Sequence, residues 1–153
     1  MKLTVAVGLL LGAQKPGDSP KKEQEPSDSA KKELDALQGH WKGVSGEDDV
    51  APLAEKNVQG FELIIKGDKY IVREYGMEAG HGTIKVDPAK KVKTIDFKIV
   101  KGVGQGKDQQ GVYRLEKGKL TLCYGEPGKE RPKQLKPQAG SGQCCLVFQK
   151  DAS

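Results

Sequence analysis

The sequence is poor in the residue types on which most enzymes and membrane proteins depend. Aromatic residues make up 5% of the 153 residues, histidine occurs twice and cysteine three times. No apolar run approaches the ~20 residues that a helix needs to cross a bilayer. Since a chain of this length normally forms one domain, these features exclude a multidomain enzyme, a polytopic membrane protein and a coiled coil. What remains is a small, highly charged domain with a modest core.

The scarcity of histidine also argues against catalysis. His40 and His81 are the only histidines, and no spacing in the chain suggests a Ser–His–Asp or Cys–His arrangement. Glu78 lies close to His81, but a closed metal site needs about four ligands. The glycine-rich residues 102–107 lack the Gly-Lys-Ser/Thr sequence that leads into a helix in phosphate-binding loops. We therefore expect no catalytic residues, no metal and no cofactor.

The N-terminal part of the chain differs in composition from the rest. Residues 1–13 combine a lysine, a short apolar run and a small residue at the end, which is the pattern of an export signal. Residues 14–29 are rich in Lys, Glu, Asp, Ser, Gln and Pro and predict a disordered polar linker. We expect the folded domain over residues 30–151 to be exported to the periplasm or the extracellular space. A frayed tail on a cytoplasmic protein is the alternative.

Short segments of residues 30–151 alternate between apolar and polar side chains. In residues 94–99, for example, Ile95, Phe97 and Ile99 fall on one face. No helix-length amphipathic segment separates these segments, so the sheet is predicted to be antiparallel. The pattern predicts an all-β fold of about eight strands, either an up-and-down barrel or a sandwich, with a short helix before the first strand. The predicted strands are residues 40–45, 61–66, 69–75, 83–86, 94–99, 111–115, 119–124 and 144–148.

The start of the first predicted strand favours the barrel. Gly39 and Trp41 form a Gly-x-Trp that resembles the opening of lipocalins and fatty-acid-binding proteins. Further blocks follow in order, including IIKGDKY at 64–70, GTIKVDP at 82–88 and PGKERP at 127–132. Together they resemble the repeated small lipocalin-like domain of planctomycete bacteria, a family of unknown function. The resemblance covers nearly all of residues 33–150 and implies a small barrel, often exported, with no catalytic residues to carry over.

The predicted inward face of the barrel contains no charge. Trp41 is expected to plug one end, with a late cation such as Lys150 over its indole ring. A ligand would then enter at the opposite end, near residues 102–111 and 125–142. An eight-stranded barrel is just wide enough either to fill with side chains or to hold one small ligand. The candidate ligand-binding residues of the interior are Trp41, Tyr70, Phe97, Tyr113 and Tyr124.

Two functions are consistent with these patterns. The first is a monomeric, non-enzymatic barrel that binds a small hydrophobic molecule or a protein partner. The second is a packed structural or interaction domain that works through a basic loop surface formed by Lys129, Arg131 and Lys133. Nucleic acid is not an expected partner, because the basic segments lack the interleaved aromatic residues on which bases stack.

The cysteines leave two redox states open. Cys144 and Cys145 point to opposite faces of a strand, so only one of them can share a face with Cys123. Disulfides persist in oxidising compartments, so an exported chain is expected to bridge Cys123 to Cys144 or to Cys145. Three buried thiols in a reduced chain are the alternative.

Overall fold

The predicted alternation folds into eight antiparallel strands that close on themselves. The computed structural model describes residues 26–151. Each strand pairs with the next one in the chain, and the eighth pairs with the first, which closes an up-and-down barrel. The all-β, eight-stranded barrel predicted from the sequence is therefore confirmed. The strands are β1 (Gly39–Asp48), β2 (Phe61–Lys66), β3 (Lys69–Glu74), β4 (Met77–Asp87), β5 (Thr94–Lys101), β6 (Asp108–Glu116), β7 (Lys119–Tyr124) and β8 (Cys144–Lys150).

Side chains alternate between the inside and the outside of the barrel. In β5, Ile95, Phe97 and Ile99 are buried, while Lys98 is exposed. Residues paired directly across neighbouring strands point to the same side, as Phe97 and its partner Ile84 in β4 do. The inward residues form one continuous core, and a smaller apolar cluster lies outside the barrel wall.

A helix precedes the first strand and covers one end of the barrel. The helix α1 (Asp28–Ala36) begins after Ser27, whose hydroxyl accepts a hydrogen bond of 3.1 Å from the backbone N–H of Ala30. Because Ser27 caps the helix, residues 28 and 29 are helical, although the sequence pattern assigns them to the linker. The predicted export signal, residues 1–13, and most of the predicted linker lie outside the described residues.

A second helix, which the sequence pattern does not predict, connects β1 to β2. The helix α2 (Glu55–Gln59) has five residues, too few for a periodic apolar pattern. Its Val58 is fully buried, and the Val58 carbonyl lies so close to Gly43 in β1 that any side chain there would collide with it. Within residues 26–151, neither helix is long and apolar enough to cross a membrane.

The two ends of the barrel differ in what covers them. The end beneath α1 is called the closed end. The opposite end is called the open end, and there the strands are connected by residues 49–60, 75–76, 102–107 and 125–143. The core side chains fill the space between these ends, with a cavity in the open half.

Candidate functional site

Trp41 fills the closed end. Its indole N–H donates a hydrogen bond of 2.9 Å to the Leu37 carbonyl, and its side chain is 1% exposed. Lys150 Nζ lies 5.2 Å from the centre of the indole, which is the cation–π contact expected from the sequence. Gly39 has a φ of +123°, a conformation that residues with a Cβ rarely adopt. The Gly-x-Trp motif therefore builds the closed end, and Trp41 is not among the residues that line the cavity.

Tyr113 also lies at the closed end. Its hydroxyl donates a hydrogen bond of 3.0 Å to Glu33 Oε2 in α1, and the same oxygen accepts one of 2.9 Å from Lys93 Nζ. Burial and the neighbouring Glu33 carboxylate raise the pKa of Tyr113 well above its usual value. The tyrosine thus fastens α1 to the barrel. Its predicted role as a ligand contact is not supported, because Tyr113 does not line the cavity.

The open half of the barrel contains a cavity of about 310 Å³. Of the five predicted ligand-binding residues, Tyr70, Phe97 and Tyr124 line it. The cavity reaches the surface beside residues 102 and 103, and its volume is at the lower end of the ~300–1,000 Å³ typical of ligand pockets. Most of its wall is apolar, including Phe61, Leu63, Val72, Ile99, Leu122 and Phe148.

Tyr70 brings a hydroxyl group to the wall of the cavity. Its ring packs edge-on against Phe97, with ring centres 5.0 Å apart and planes at 77°. Burial raises the pKa of Tyr70 to about 12, so the hydroxyl remains protonated at physiological pH. No side chain or backbone group within residues 26–151 forms a hydrogen bond with this hydroxyl.

Tyr124 lines the cavity near the open end, but its hydroxyl already has a partner. Tyr124 and Cys144 are directly opposite on β7 and β8, and the hydroxyl and the thiol are hydrogen-bonded to each other. Burial raises the pKa of both groups, so both are neutral at physiological pH. Cys144 is the free cysteine of the chain.

The charged residues that line the cavity lie at or near the open ends of their strands. Glu74 is the last residue of β3 and Lys101 is the last residue of β5, and both are exposed. Glu62, the second residue of β2, is paired with His40, whose Nε2 lies 3.3 Å from Glu62 Oε2. The deeper wall, as far as the structure describes it, therefore presents no charge to a ligand.

The disulfide joins Cys123 to Cys145, one of the two predicted pairings. These residues are directly opposite on β7 and β8 and belong to the apolar cluster outside the barrel, whereas Cys144 packs against the inner core. Leu135, in the long connection between β7 and β8, packs against the bridge. The disulfide therefore closes residues 125–143 into a loop against the outer wall.

The three residues of the predicted basic loop surface do not share one environment in the structure. Arg131 Nη1 donates a hydrogen bond of 2.9 Å to the Gly111 carbonyl and lies 2.8 Å from Asp96 Oδ1. This arginine fastens the loop to β5 and β6, so it is not a free cation for a partner. Lys129 and Lys133 are exposed.

The two histidines lie on the outside of the barrel and pair with carboxylates. His81 Nδ1 is 2.7 Å from Glu78 Oε2, and this hydrogen bond lowers the pKa of Glu78. Residues 26–151 contain no group of three or more His, Cys, Asp or Glu side chains placed to hold a metal ion.

Sequence patterns missed the two charged residues at the rim of the cavity. Glu74 is two residues beyond Val72 and in phase with this inward-facing neighbour, whereas the pairing of β4 with β5 shifts register at Val100 and places Lys101 opposite His81. Extending the alternation to the end of β3 would have found Glu74, but the register shift at Val100 interrupts the alternation before Lys101. A charge at the end of a strand is usually solvated, so the alternation alone gave no reason to assign Glu74 or Lys101 to the cavity wall.

Comparisons with known proteins identify no relative of this chain. No protein-family model, no curated protein and no solved structure matches it. Its function is therefore inferred from the geometry of the barrel.

Proposed function

We propose that this protein is an exported, non-enzymatic barrel that binds a small apolar ligand in the cavity of its open half. The observation that carries the proposal is a 310 Å³ cavity with mainly apolar walls. A pre-formed concave site with few polar groups is the usual form of a small-molecule binding site. Because Trp41 fills the opposite end, a ligand enters and leaves beside residues 102 and 103.

The volume of the cavity sets the size of the ligand. A cavity of ~150 Å³ lined by aliphatic and aromatic side chains holds one benzene molecule. The cavity here is about twice as large, which corresponds to about 12 non-hydrogen atoms. A ligand of this class is a short aliphatic chain or a two-ring aromatic compound, and a long-chain lipid would extend beyond the rim.

Three features support the exported location and the lipocalin-like assignment. The Cys123–Cys145 disulfide is of the kind that persists in oxidising compartments, and residues 1–13 carry the pattern of an export signal. The closed barrel that begins with Gly-x-Trp is the fold implied by the resemblance to the small lipocalin-like family. A mature protein that still begins at Met1 in its native host would contradict export.

Binding of a neutral probe to a pair of neighbouring variants tests the proposal. Val72 lines the cavity, whereas Ile71 is not a lining residue and pairs with Ile64 and His81 on the alternate face. We expect wild type to bind naphthalene, and Val72→Trp to bind it about ten-fold more weakly or worse, because the indole occupies the cavity. Ile71→Trp adds the same bulk outside and should bind naphthalene like wild type. Calorimetry measures all three.

Two results would count against a ligand-binding cavity. One is a wild-type protein that releases no small molecule on organic extraction, shows none in native mass spectrometry and does not bind naphthalene. The other is equal binding by Val72→Trp and Ile71→Trp. Circular dichroism of both variants shows that the barrel is intact before binding is compared.

A packed interaction domain is the second candidate, supported by the exposed Lys129 and Lys133 of the long loop. The double substitution Lys129→Glu with Lys133→Glu separates the two functions. It should leave naphthalene binding unchanged if the cavity is the functional site. Loss of a protein partner co-purified from the native host, with naphthalene binding intact, would instead favour the loop.

A further inference from the structure

The cavity contains one hydroxyl group that the protein leaves unpaired. Of the uncharged polar side chains in its wall, Gln109 donates a hydrogen bond of 2.9 Å to the Gly125 carbonyl, and the Tyr124 hydroxyl is bonded to Cys144. Of the two hydroxyl groups in the wall, only that of Tyr70 has no hydrogen-bond partner in the described part of the chain. We propose that the ligand carries a neutral oxygen that pairs with the Tyr70 hydroxyl, an inference that rests on the proposed function of the same cavity.

The position of Tyr70 is well defined. The residue is 5% exposed, its ring forms part of the cavity wall, and the edge-on contact with Phe97 fixes the ring from one side. The ring also lies against Gly82, where a Cβ would be 3.0 Å from the tyrosine Cε1. A hydroxyl on a ring held in this way is a pre-organised hydrogen-bonding group, so a ligand need not order it on binding.

The unpaired hydroxyl makes a wholly apolar ligand a poor match for the cavity. In the open, ligand-free barrel, water entering through the mouth can hydrogen-bond with Tyr70. A ligand that displaces this water without replacing its hydrogen bond leaves a buried polar group unsatisfied, which weakens binding by about five-fold or more. A ligand with an alcohol, phenol, ketone or aldehyde oxygen at this position restores the hydrogen bond.

The charges around the cavity indicate that this oxygen is neutral. The exposed charges of the cavity lining, Glu74 and Lys101, have opposite signs and lie at the ends of their strands. An ionised carboxylate that reached Tyr70 would be buried without a cation, which is strongly unfavourable. The cavity therefore favours a ligand whose buried end carries an uncharged oxygen. The two opposite charges at the mouth favour neither a positively nor a negatively charged ligand.

Two rigid probes and two variants test the inference. Naphthalene and 2-naphthol have nearly the same shape, and only the second carries a hydroxyl, which is neutral at pH 7. We expect Tyr70→Phe to reduce the preference for 2-naphthol over naphthalene by about five-fold, the contribution of one hydrogen bond. Tyr75→Phe removes a hydroxyl that donates a hydrogen bond to the Lys56 carbonyl outside the cavity lining, so it should leave this preference at the wild-type value. 2-Naphthoate, the ionised analogue, should bind wild type more weakly than 2-naphthol.

The possible outcomes separate this inference from the proposed function. If wild type binds naphthalene but Tyr70→Phe keeps the wild-type preference, the inference is wrong and the binding cavity stands. If wild type binds neither probe, both proposals fail. Stability provides an independent measurement: Tyr70→Phe should unfold at the same urea concentration as wild type or higher, because the hydroxyl has no partner in the protein. A clear loss of stability would reveal such a partner and overturn the inference.

Discussion

The closed and open ends of the barrel are made from the same eight strands but have opposite properties. At the closed end, Trp41, Leu37 and Tyr113 are at most 1% exposed, and the side-chain donors of Trp41 and Tyr113 have protein acceptors. At the open end, Val103 is 90% exposed beside a cavity, and the Tyr70 hydroxyl deeper in that cavity is unpaired. This difference indicates that packing at the closed end stabilises the fold, whereas the open end, where we propose that the ligand binds, contributes less to stability.

The distribution of exposed apolar side chains follows the same division. Large apolar side chains that are exposed together in one region of a surface are typical of a binding site. The large apolar residues exposed on the described part of the chain all lie at or near the open end, namely Val50, Tyr75, Met77, Val100 and Val103. Substitutions at the two ends should therefore have separable effects on stability and binding.

The largest expected effect is the loss of Trp41. Trp41→Ala removes the plug of the closed end, the hydrogen bond to Leu37 and the ring beneath Lys150. We expect the free energy of unfolding to fall by about 3–5 kcal/mol. Val103→Ala, at the open end, should change it by less than about 0.5 kcal/mol. Urea unfolding followed by circular dichroism measures both, and equal losses would show that the division between the ends is wrong.

The next largest effect concerns the covalent link between β7 and β8. In the chain-entropy model, a disulfide spanning 22 residues contributes about 3 kcal/mol. We expect Cys123→Ala with Cys145→Ala to lower the free energy of unfolding by about this amount. Cys144→Ala, which leaves the bridge intact, is the control and should cost less. Because the bridge joins the strands one residue from the open end, its removal should also weaken naphthalene binding.

Counting thiols checks the pairing directly. Denatured protein should react with one equivalent of a thiol reagent without reductant and with three after reduction, since Cys144 is free. Peptide mapping should find Cys123 linked to Cys145. Three reactive thiols in the unreduced protein from its native host would contradict the disulfide.

The alternation of the sequence was enough to predict the barrel but not the depth of each residue within it. Period-two patterns assign a residue to the inner or outer face. They do not say how far along the barrel axis it lies, which is why Trp41 and Tyr113 were grouped with Tyr70 as ligand contacts. Tyr113 lies three residues before the closed-end terminus of β6, and its hydroxyl bonds with Glu33, 80 residues earlier in the chain. A contact at that separation leaves no local pattern.

Other differences between prediction and structure have the same origin in long-range pairing. Residues 77–82 contain two glycines and no apolar alternation, yet they extend β4 because β3 and β5 pair with them. The choice of Cys145 over Cys144 depends on the register between β7 and β8, which brings Cys123 opposite Cys145. Arg131 was predicted to be a surface cation, but the fold places it against the Gly111 carbonyl and Asp96.

The smallest expected effect is a local change in acidity at the open end. The hydrogen bond from His81 is the largest of the causes that lower the pKa of Glu78. Because the pKa is lower in the folded state, the pairing stabilises the fold above the ordinary glutamate pKa of 4.5 and is lost as the pH falls through the folded value. We expect His81→Ala to raise the pKa of Glu78 toward 4.5, measured by following its side-chain carboxyl signal by NMR between pH 2 and pH 7.

The matched control for this titration is His40→Ala. His40 lies in β1 and pairs with Glu62 in β2, whereas Glu78 lies in β4. Removing the His40 imidazole should therefore leave the titration of Glu78 unchanged. Overall stability should hardly respond to His81→Ala, because both members of the pair are substantially exposed and water screens their interaction. A large loss of stability in His81→Ala would mean that the open end contributes to folding much as the closed end does. The separation of stability from binding along the barrel axis would then have to be abandoned.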